Sequence, residues 1–254
     1  MKIIISPAKK MNTDTDSLPY QDLPVFLPKT EQLLHQLKEK SYEELKSLWK
    51  CNDKIAALNV ERLQNMDLQK NLTPAILSYE GIQYQYMAPG VFTDDAYSYI
   101  QKHLRILSGF YGVLRPFDGV LPYRLEMQAK LSVGEAKDLY AFWGTTLANH
   151  LSKETDCIIN LASKEYSSSI AKHLHPSVRF ITIIFGEWKD GKIIEKGTIC
   201  KMARGEMVRF MAENQIEQAE DIKAFSRLNY QFSEEHSNDT TYVFLLNTAK
   251  NTNE

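Results

Sequence analysis

Apolar, β-branched runs alternate along this chain with stretches whose apolar residues recur at helical spacing. That alternation leaves few ways to bury both kinds of surface at once. Residues 2–5, KIII, end at Ser6-Pro7 and read as a strand running into a loop. Further strand-like runs lie near Ala75–Tyr86, Arg105–Ser108, Cys157–Leu161, Val178–Trp188, Lys192–Ile199 and Tyr242–Leu246. Helical patterns cover Asp94–Leu104, Val133–Leu151, Ser163–Leu174, Lys201–Asn214 and Ile216–Phe225. The pair 178–188 and 192–199 flanks KDGK, where Asp190-Gly191 suits a type I′ hairpin turn. The expected fold is mixed α/β (α+β): a central mixed β-sheet with one antiparallel hairpin, covered by helices, in a single compact domain over 1–254.

Before most of those strands comes a helical segment. Thr30 opens a helix carrying Leu33, Leu34 and Leu37. Ser41 and Glu44 have the spacing of a capping box for a second, and Asn52 or Asp53 caps a third carrying Ile55, Ala56, Leu58 and Leu63. The last eight residues, 247–254, read as a polar tail.

No apolar run approaches the roughly 20 residues of a membrane helix, and the N-terminal apolar run is too short for a signal peptide. The expectation is a cytoplasmic protein with no membrane partner. Cys51, Cys157 and Cys200 are far apart and odd in number, which suggests neither a disulfide framework nor a thiolate metal site. Net charge is −2, with no global pull on nucleic acid, but its distribution is uneven. Residues 102–130 carry five Lys/Arg against two Asp/Glu, residues 189–209 six against three, and residues 213–239 two against seven. A basic face opposite an acidic one would follow if the basic segments meet in space.

Candidate chemistry gathers in three places. In LSGFYGVLRPFDGVLPYRLEM, residues 107–127, Tyr123, Leu125 and Met127 alternate with Arg124 and Glu126, so both charges share one face of an extended segment. They can pair with each other or face a ligand together. LASKEY, residues 161–166, follows a strand; Ser163 is placed to cap a helix. Asn160 and Glu165 sit past a strand's carboxyl end, where open α/β sheets hold ligands. In KMARGEMVRFM, residues 201–211, Lys201 and Arg204 share a helix face, which is either a solvated basic face or an anion site. Gly205 in that helix suggests close approach of another backbone or a ligand. The chain carries no Walker loop, GxGxxG, GxSxG or HExxH, so no cofactor or metal follows from its motifs.

SPAK at 6–9, the 107–127 segment, YAFWG at 140–144, INLASKEY at 159–166 and ARGEMVRF at 203–210 together resemble the YaaA family of peroxide-stress proteins. The resemblance implies a compact single α/β domain, a positively charged cleft and binding to double-stranded DNA. It also implies a role in limiting iron-driven oxidative damage, and it brings no established reaction. The family's DNA element resembles a helix-hairpin-helix, whose place here is LKSLWKCNDKIAALNVERL, residues 45–63, within a helical segment of about 41–66. In such a hairpin Lys50 and Lys54 would flank a phosphate held by backbone N–H groups. This hairpin, KCND, departs from the pattern in having no glycine.

Two functions are compatible with these residues. A non-enzymatic DNA-binding protein would contact phosphates through Lys9, Lys10, Lys50, Lys54, Arg115, Arg124, Lys201, Arg204 and Arg209. An enzyme for a small anionic or nucleotide-like substrate would clamp the anion with Arg124 and Arg204. There Glu126 or Glu165 would serve as general acid/base and Tyr123 or Tyr166 as a hydrogen donor. Protein partners do not follow from the sequence.

Overall fold

The computed structural model describes residues 1–247. Of the expected polar tail, only Asn247 falls among them, its amide donating to the carbonyl of Asn229 at 2.8 Å. The expected mixed sheet is present. Its strands are β1 (Lys2–Ile5), β2 (Leu104–Ser108), β3 (Gly112–Leu114), β4 (Cys157–Asn160), β5 (Arg179–Lys189), β6 (Lys192–Ile194), β7 (Tyr230–Phe232) and β8 (Thr241–Leu246). They run in the order β7-β8-β5-β4-β1-β2-β3, with β6 folded back on β5. The five central strands, β8-β5-β4-β1-β2, are mutually parallel. The hairpin β5–β6 is antiparallel, with Asp190 and Gly191 both at positive φ in its turn. The edges add two antiparallel pairings, β2 with β3 and β7 with β8.

Buried on both faces, a parallel strand reads as a continuous apolar run. Ile3, Ile4 and Ile5 of β1 are fully buried, each contributing about 1.5–3 kcal/mol of apolar burial. The helices that flank the sheet include α1 (Leu27–Lys38), α2 (Tyr42–Trp49), α3 (Asp53–Gln64), α4 (Ile82–Met87), α5 (Asp94–His103), α6 (Leu139–Trp143), α7 (Thr146–Glu154) and α8 (Gly197–Glu213).

Several local expectations shift. The first helix starts at Leu27 with Pro28 in its first turn, and Thr30 lies inside it, buried, with its hydroxyl on the carbonyls of Phe26 and Phe110. Residues 75–86 are not one strand: a single helical turn, a two-residue strand Tyr79–Glu80 and α4 replace it. The helical pattern over 133–151 breaks into α6 and α7 at Gly144, which takes a φ of 47°. The capping box of Ser41 and Glu44 forms, and the Asn52 side chain accepts from the amide of Ile55. Ser163 occupies a helix N-cap position without capping it, because its hydroxyl and amide both turn to Ser6.

The topology fixes where a cavity can open. β1 lies between β2 and β4. The chain leaving β1 continues to β2 on one side, while the chain leaving β4 continues to β5 on the other. The two connections diverge, so a crevice forms beyond the carboxyl ends of β1 and β4. The loops facing it are joined at their base: Leu161 donates to the carbonyl of Ile4 at 2.9 Å and Ser163 to the Ser6 hydroxyl at 2.8 Å.

Candidate functional site

A cavity of about 430 Å³ occupies that crevice. It is walled by the loop after β1 (Ser6 to Lys10), the loop after β4 (Ser163, Glu165, Tyr166), the extended segment Tyr123–Glu126, and α4 with the residues before it. Lys201 and Arg204 of α8 complete it.

Two close approaches shape these walls. A Cβ on Gly109 would lie 2.6 Å from the carbonyl oxygen of Leu125, so this glycine admits the extended segment against the end of β2. A Cβ on Gly205 would strike the carbonyl oxygen of Gln83 and lie 2.9 Å from the amide of Met87. Gly205 therefore lets α8 lie directly on α4, which carries Lys201 and Arg204 to the cavity. The close backbone approach suggested by that glycine is the one found.

The alternation in residues 123–127 also holds. Tyr123, Leu125 and Met127 are buried, while Arg124 and Glu126 line the cavity. Glu126 lies between two cations, 2.9 Å from Lys9 Nζ and 3.4 Å from Arg124. Lys10 pairs with Glu80 at the mouth. Arg204 stands 3.8 Å from Glu195, at the outer limit of an ion pair, and Lys201 has no ion pair among the described residues. The cavity lining has five Lys/Arg against three Glu, so its charge balance is positive.

The arginines are deep and the lysines superficial. The side chains of Arg124 and Arg204 are 11% and 17% exposed, whereas Lys9 and Lys10 stand in solvent at the rim. Among the described residues, Arg124 Nε, Arg204 Nε and Gln83 Nε2 are buried donors without a hydrogen-bond partner, and all three residues line this cavity. The fourth such donor, Trp49 Nε1, lies just behind Arg124, in a small void that both residues line. A buried donor left unmade costs about 1–3 kcal/mol, more when charged.

Glu165 is half-buried, and that burial raises its carboxyl above the ordinary glutamate value. The nearby charge of Glu126 adds to the rise, opposed by the amide of Gln128 donating to Oε1 at 3.2 Å and by Lys9. A raised carboxyl on the wall of a cavity that two arginines also line suits proton exchange. The tyrosines are committed elsewhere. Tyr123 Oη lies 2.6 Å from Ser108 Oγ and 2.9 Å from Tyr79 Oη, and burial pushes its phenol up to about 12. Burial raises the Tyr166 phenol far above its ordinary value, and Tyr84 donates to the carbonyl of Ser6 at 3.0 Å. These side chains offer the cavity ring surface more than hydroxyls.

Of the residues singled out in the sequence, Lys9, Lys10, Tyr123, Arg124, Glu126, Glu165, Tyr166, Lys201 and Arg204 meet at this one cavity. Lys50 lies next to it: a small groove lined by Trp49 and Lys50 shares Lys9 and Glu126 with the cavity. Exposed Lys54 stands in the first turn of α3, lining neither. Arg115 and Arg209 lie elsewhere, each neutralised by neighbours. Arg115 pairs with Asp22 at 3.1 Å and Asp118 at 2.9 Å, and Arg209 with Glu213 at 2.7 Å. Asn160 is structural, its side chain accepting from Ala162 and lying 3.4 Å from Thr182. The residue missed was Gln83, because 75–86 read as a strand. At helical spacing it falls beside Tyr84 and Met87 as a polar residue on a buried stripe.

Comparison with known proteins now bears on this site. A family model described as peroxide stress protein YaaA matches residues 1–236. A UPF0246 protein of Agathobacter rectalis is 59% identical over 244 residues, covering 96% of this chain and 98% of its own length. One from Lachnoclostridium phytofermentans is 57% identical over 245 residues, 96% of each chain, and one from Lactiplantibacillus plantarum 56% over 245 residues, 96% and 99%. The chain belongs to the YaaA family of peroxide stress proteins.

Proposed function

We propose that the switch-point cavity binds a small anionic ligand between Arg124 and Arg204, with Lys9, Lys10 and Lys201 drawing it in. The observation that carries this is a pair of arginines, each with a buried and unmatched Nε–H, lining one net-cationic cavity. An anion held between the two guanidinium groups adds charge-assisted hydrogen bonds to side chains that the protein leaves incompletely satisfied. Glu165 is then the group placed to take or give a proton. A cavity this size admits a small molecule and not a duplex. Calorimetric titration with inorganic phosphate tests the reading: one site per chain is expected, at least tenfold weaker in Arg124→Met and Arg204→Met. Unchanged affinity in both variants would overturn it.

A second reading has its own support. The groove shared by Trp49, Lys50, Lys9 and Glu126 joins the α2–α3 hairpin to the cavity rim. This gives sequence-independent binding of double-stranded DNA Lys50 in the groove and Lys9 at the shared rim, with Lys54 beyond them. That reading also carries the role in limiting iron-driven damage in the cytoplasm. It requires log affinity to fall with log salt by about 0.9 for each phosphate neutralised. Duplex binding that ignores salt would end it.

A further inference from the structure

We propose that the ligand of this cavity is a nucleoside 5′-monophosphate and that Gln83 reads its base. The inference rests on the anion-binding reading above and names the rest of the molecule that the anion belongs to. Three observations carry it.

Gln83 is 7% exposed and its side chain makes no hydrogen bond among the described residues, although it lines the cavity. A carboxamide presents a donor and an acceptor side by side, the pattern that matches the edge of a nucleobase bidentately. Its backbone is fixed, because the Gln83 carbonyl abuts Gly205 where α8 packs on α4.

The wall around Gln83 is largely apolar and aromatic. Pro7, Ile82, Tyr84, Tyr123, Leu125 and Tyr166 line it, and the hydroxyls of Tyr84 and Tyr123 are taken by protein groups. A bare phosphate or sulfate would engage the arginines and leave this surface uncovered. A flat heterocycle covers it, since every base has a π-face that packs on fixed rings.

Size sets the upper bound. At about 430 Å³ the cavity is near the low end of the roughly 300–1,000 Å³ typical of small-molecule sites. That volume is enough for one base, one sugar and one phosphate group.

Calorimetric titration of the whole chain with adenosine 5′-monophosphate, uridine 5′-monophosphate, ribose 5-phosphate and inorganic phosphate tests this directly. At least one nucleotide is expected to bind about tenfold or more tightly than ribose 5-phosphate, as the gain of one or two base hydrogen bonds gives. Gln83→Leu should erase that margin while leaving the affinity for inorganic phosphate unchanged, which also certifies its fold. Gln83→Glu, which replaces the donor by an acceptor, should alter the order of the two bases. Ribose 5-phosphate binding as tightly as both nucleotides would overturn the inference and leave the anion reading standing. A nucleotide preference untouched by Gln83→Leu would remove Gln83 from its role. Failure of all four compounds to bind would take the anion reading down as well.

Discussion

The two ends of the central sheet treat buried arginine in opposite ways. At the amino end, Arg105 of β2 is almost wholly buried and its guanidinium is satisfied. Nε donates to Glu154 at 2.8 Å, and Nη1 donates to the carbonyls of Gln101 and Leu104. Glu154 is in turn contacted by Lys2 and by His150. At the carboxyl end, Arg124 and Arg204 are nearly as buried and each leaves its Nε unmatched. Both ends have the same residue type within one core, so burial alone does not explain the difference. A charge that serves the fold is satisfied within the fold, whereas a charge reserved for a ligand makes only long contacts and keeps a donor open until the ligand arrives.

If that contrast is correct, the largest stability loss should come from the amino end. Arg105→Ala leaves Glu154 without its closest partner and should cost about 3–5 kcal/mol in urea denaturation. Arg124→Met should cost less, about 1 kcal/mol, since its Nε is unmatched and its contacts to Glu126 at 3.4 Å and to the Trp49 carbonyl at 3.5 Å are long. Equal losses would break the comparison.

Acid titration sharpens the same point. Burial pushes Glu154 up, but hydrogen bonds from His150 and Arg105 and the charges of Arg105 and Lys2 outweigh it and hold its carboxyl at about 2. Its folded value is depressed, so the stability it contributes is present above the ordinary glutamate range and is lost as pH falls toward 2. The loss should reach roughly 3 kcal/mol. Glu154→Gln should flatten stability over that window, and an unflattened curve would show that other carboxylates carry the loss.

Gly205 links the fold to the site. Gly205→Val should destabilise the chain by about 1–3 kcal/mol through overpacking against Gln83 and Met87. Phosphate affinity should fall at the same time, because Arg204 moves with its helix. Thermal melting and calorimetry on one sample decide whether the two effects travel together.

Glu165 opposes the anion. Because burial raises its carboxyl, affinity for sulfate, whose charge is constant over this range, should rise a few-fold as pH drops through the protonation of Glu165. Glu165→Gln should show the tighter value at all pH and lose the dependence. A pH profile identical to the parent would exclude Glu165 from the cavity's electrostatics.

The smallest effect concerns the hairpin. Lys50 takes a left-handed φ of 46° at the C-cap of α2, a conformation glycine adopts without strain. Lys50→Gly should stabilise the chain by up to about 1 kcal/mol by relieving that strain. In the DNA reading the same change lowers the salt slope by about one phosphate.

The sequence carried the sheet and most of the site, for physical reasons that can be named. Continuous apolar runs such as KIII and CIIN have few alternatives to buried parallel strands, and the alternation in Tyr123–Met127 placed Arg124 and Glu126 on one face correctly. Capping chemistry at Ser41 and Asn52 is local and was readable. What failed depended on distant contacts. Residues 75–86 are rich in tyrosine and isoleucine and look extended, yet α4 forms because α8 packs on it through Gly205. Ser163 looked like a cap until Ser6, 157 positions away, took its hydroxyl. The neutralisation of Arg115 and Arg209 likewise depended on partners that charge counts along the chain could not assign.

The arginine side-chain amides report on the central contrast most directly. In a ¹H–¹⁵N spectrum of the Nε–H groups, added phosphate should shift the Arg124 and Arg204 resonances downfield and leave Arg105 in place. Resonances of all three that already match hydrogen-bonded guanidinium groups in the free protein, and stay fixed through the titration, would contradict the account.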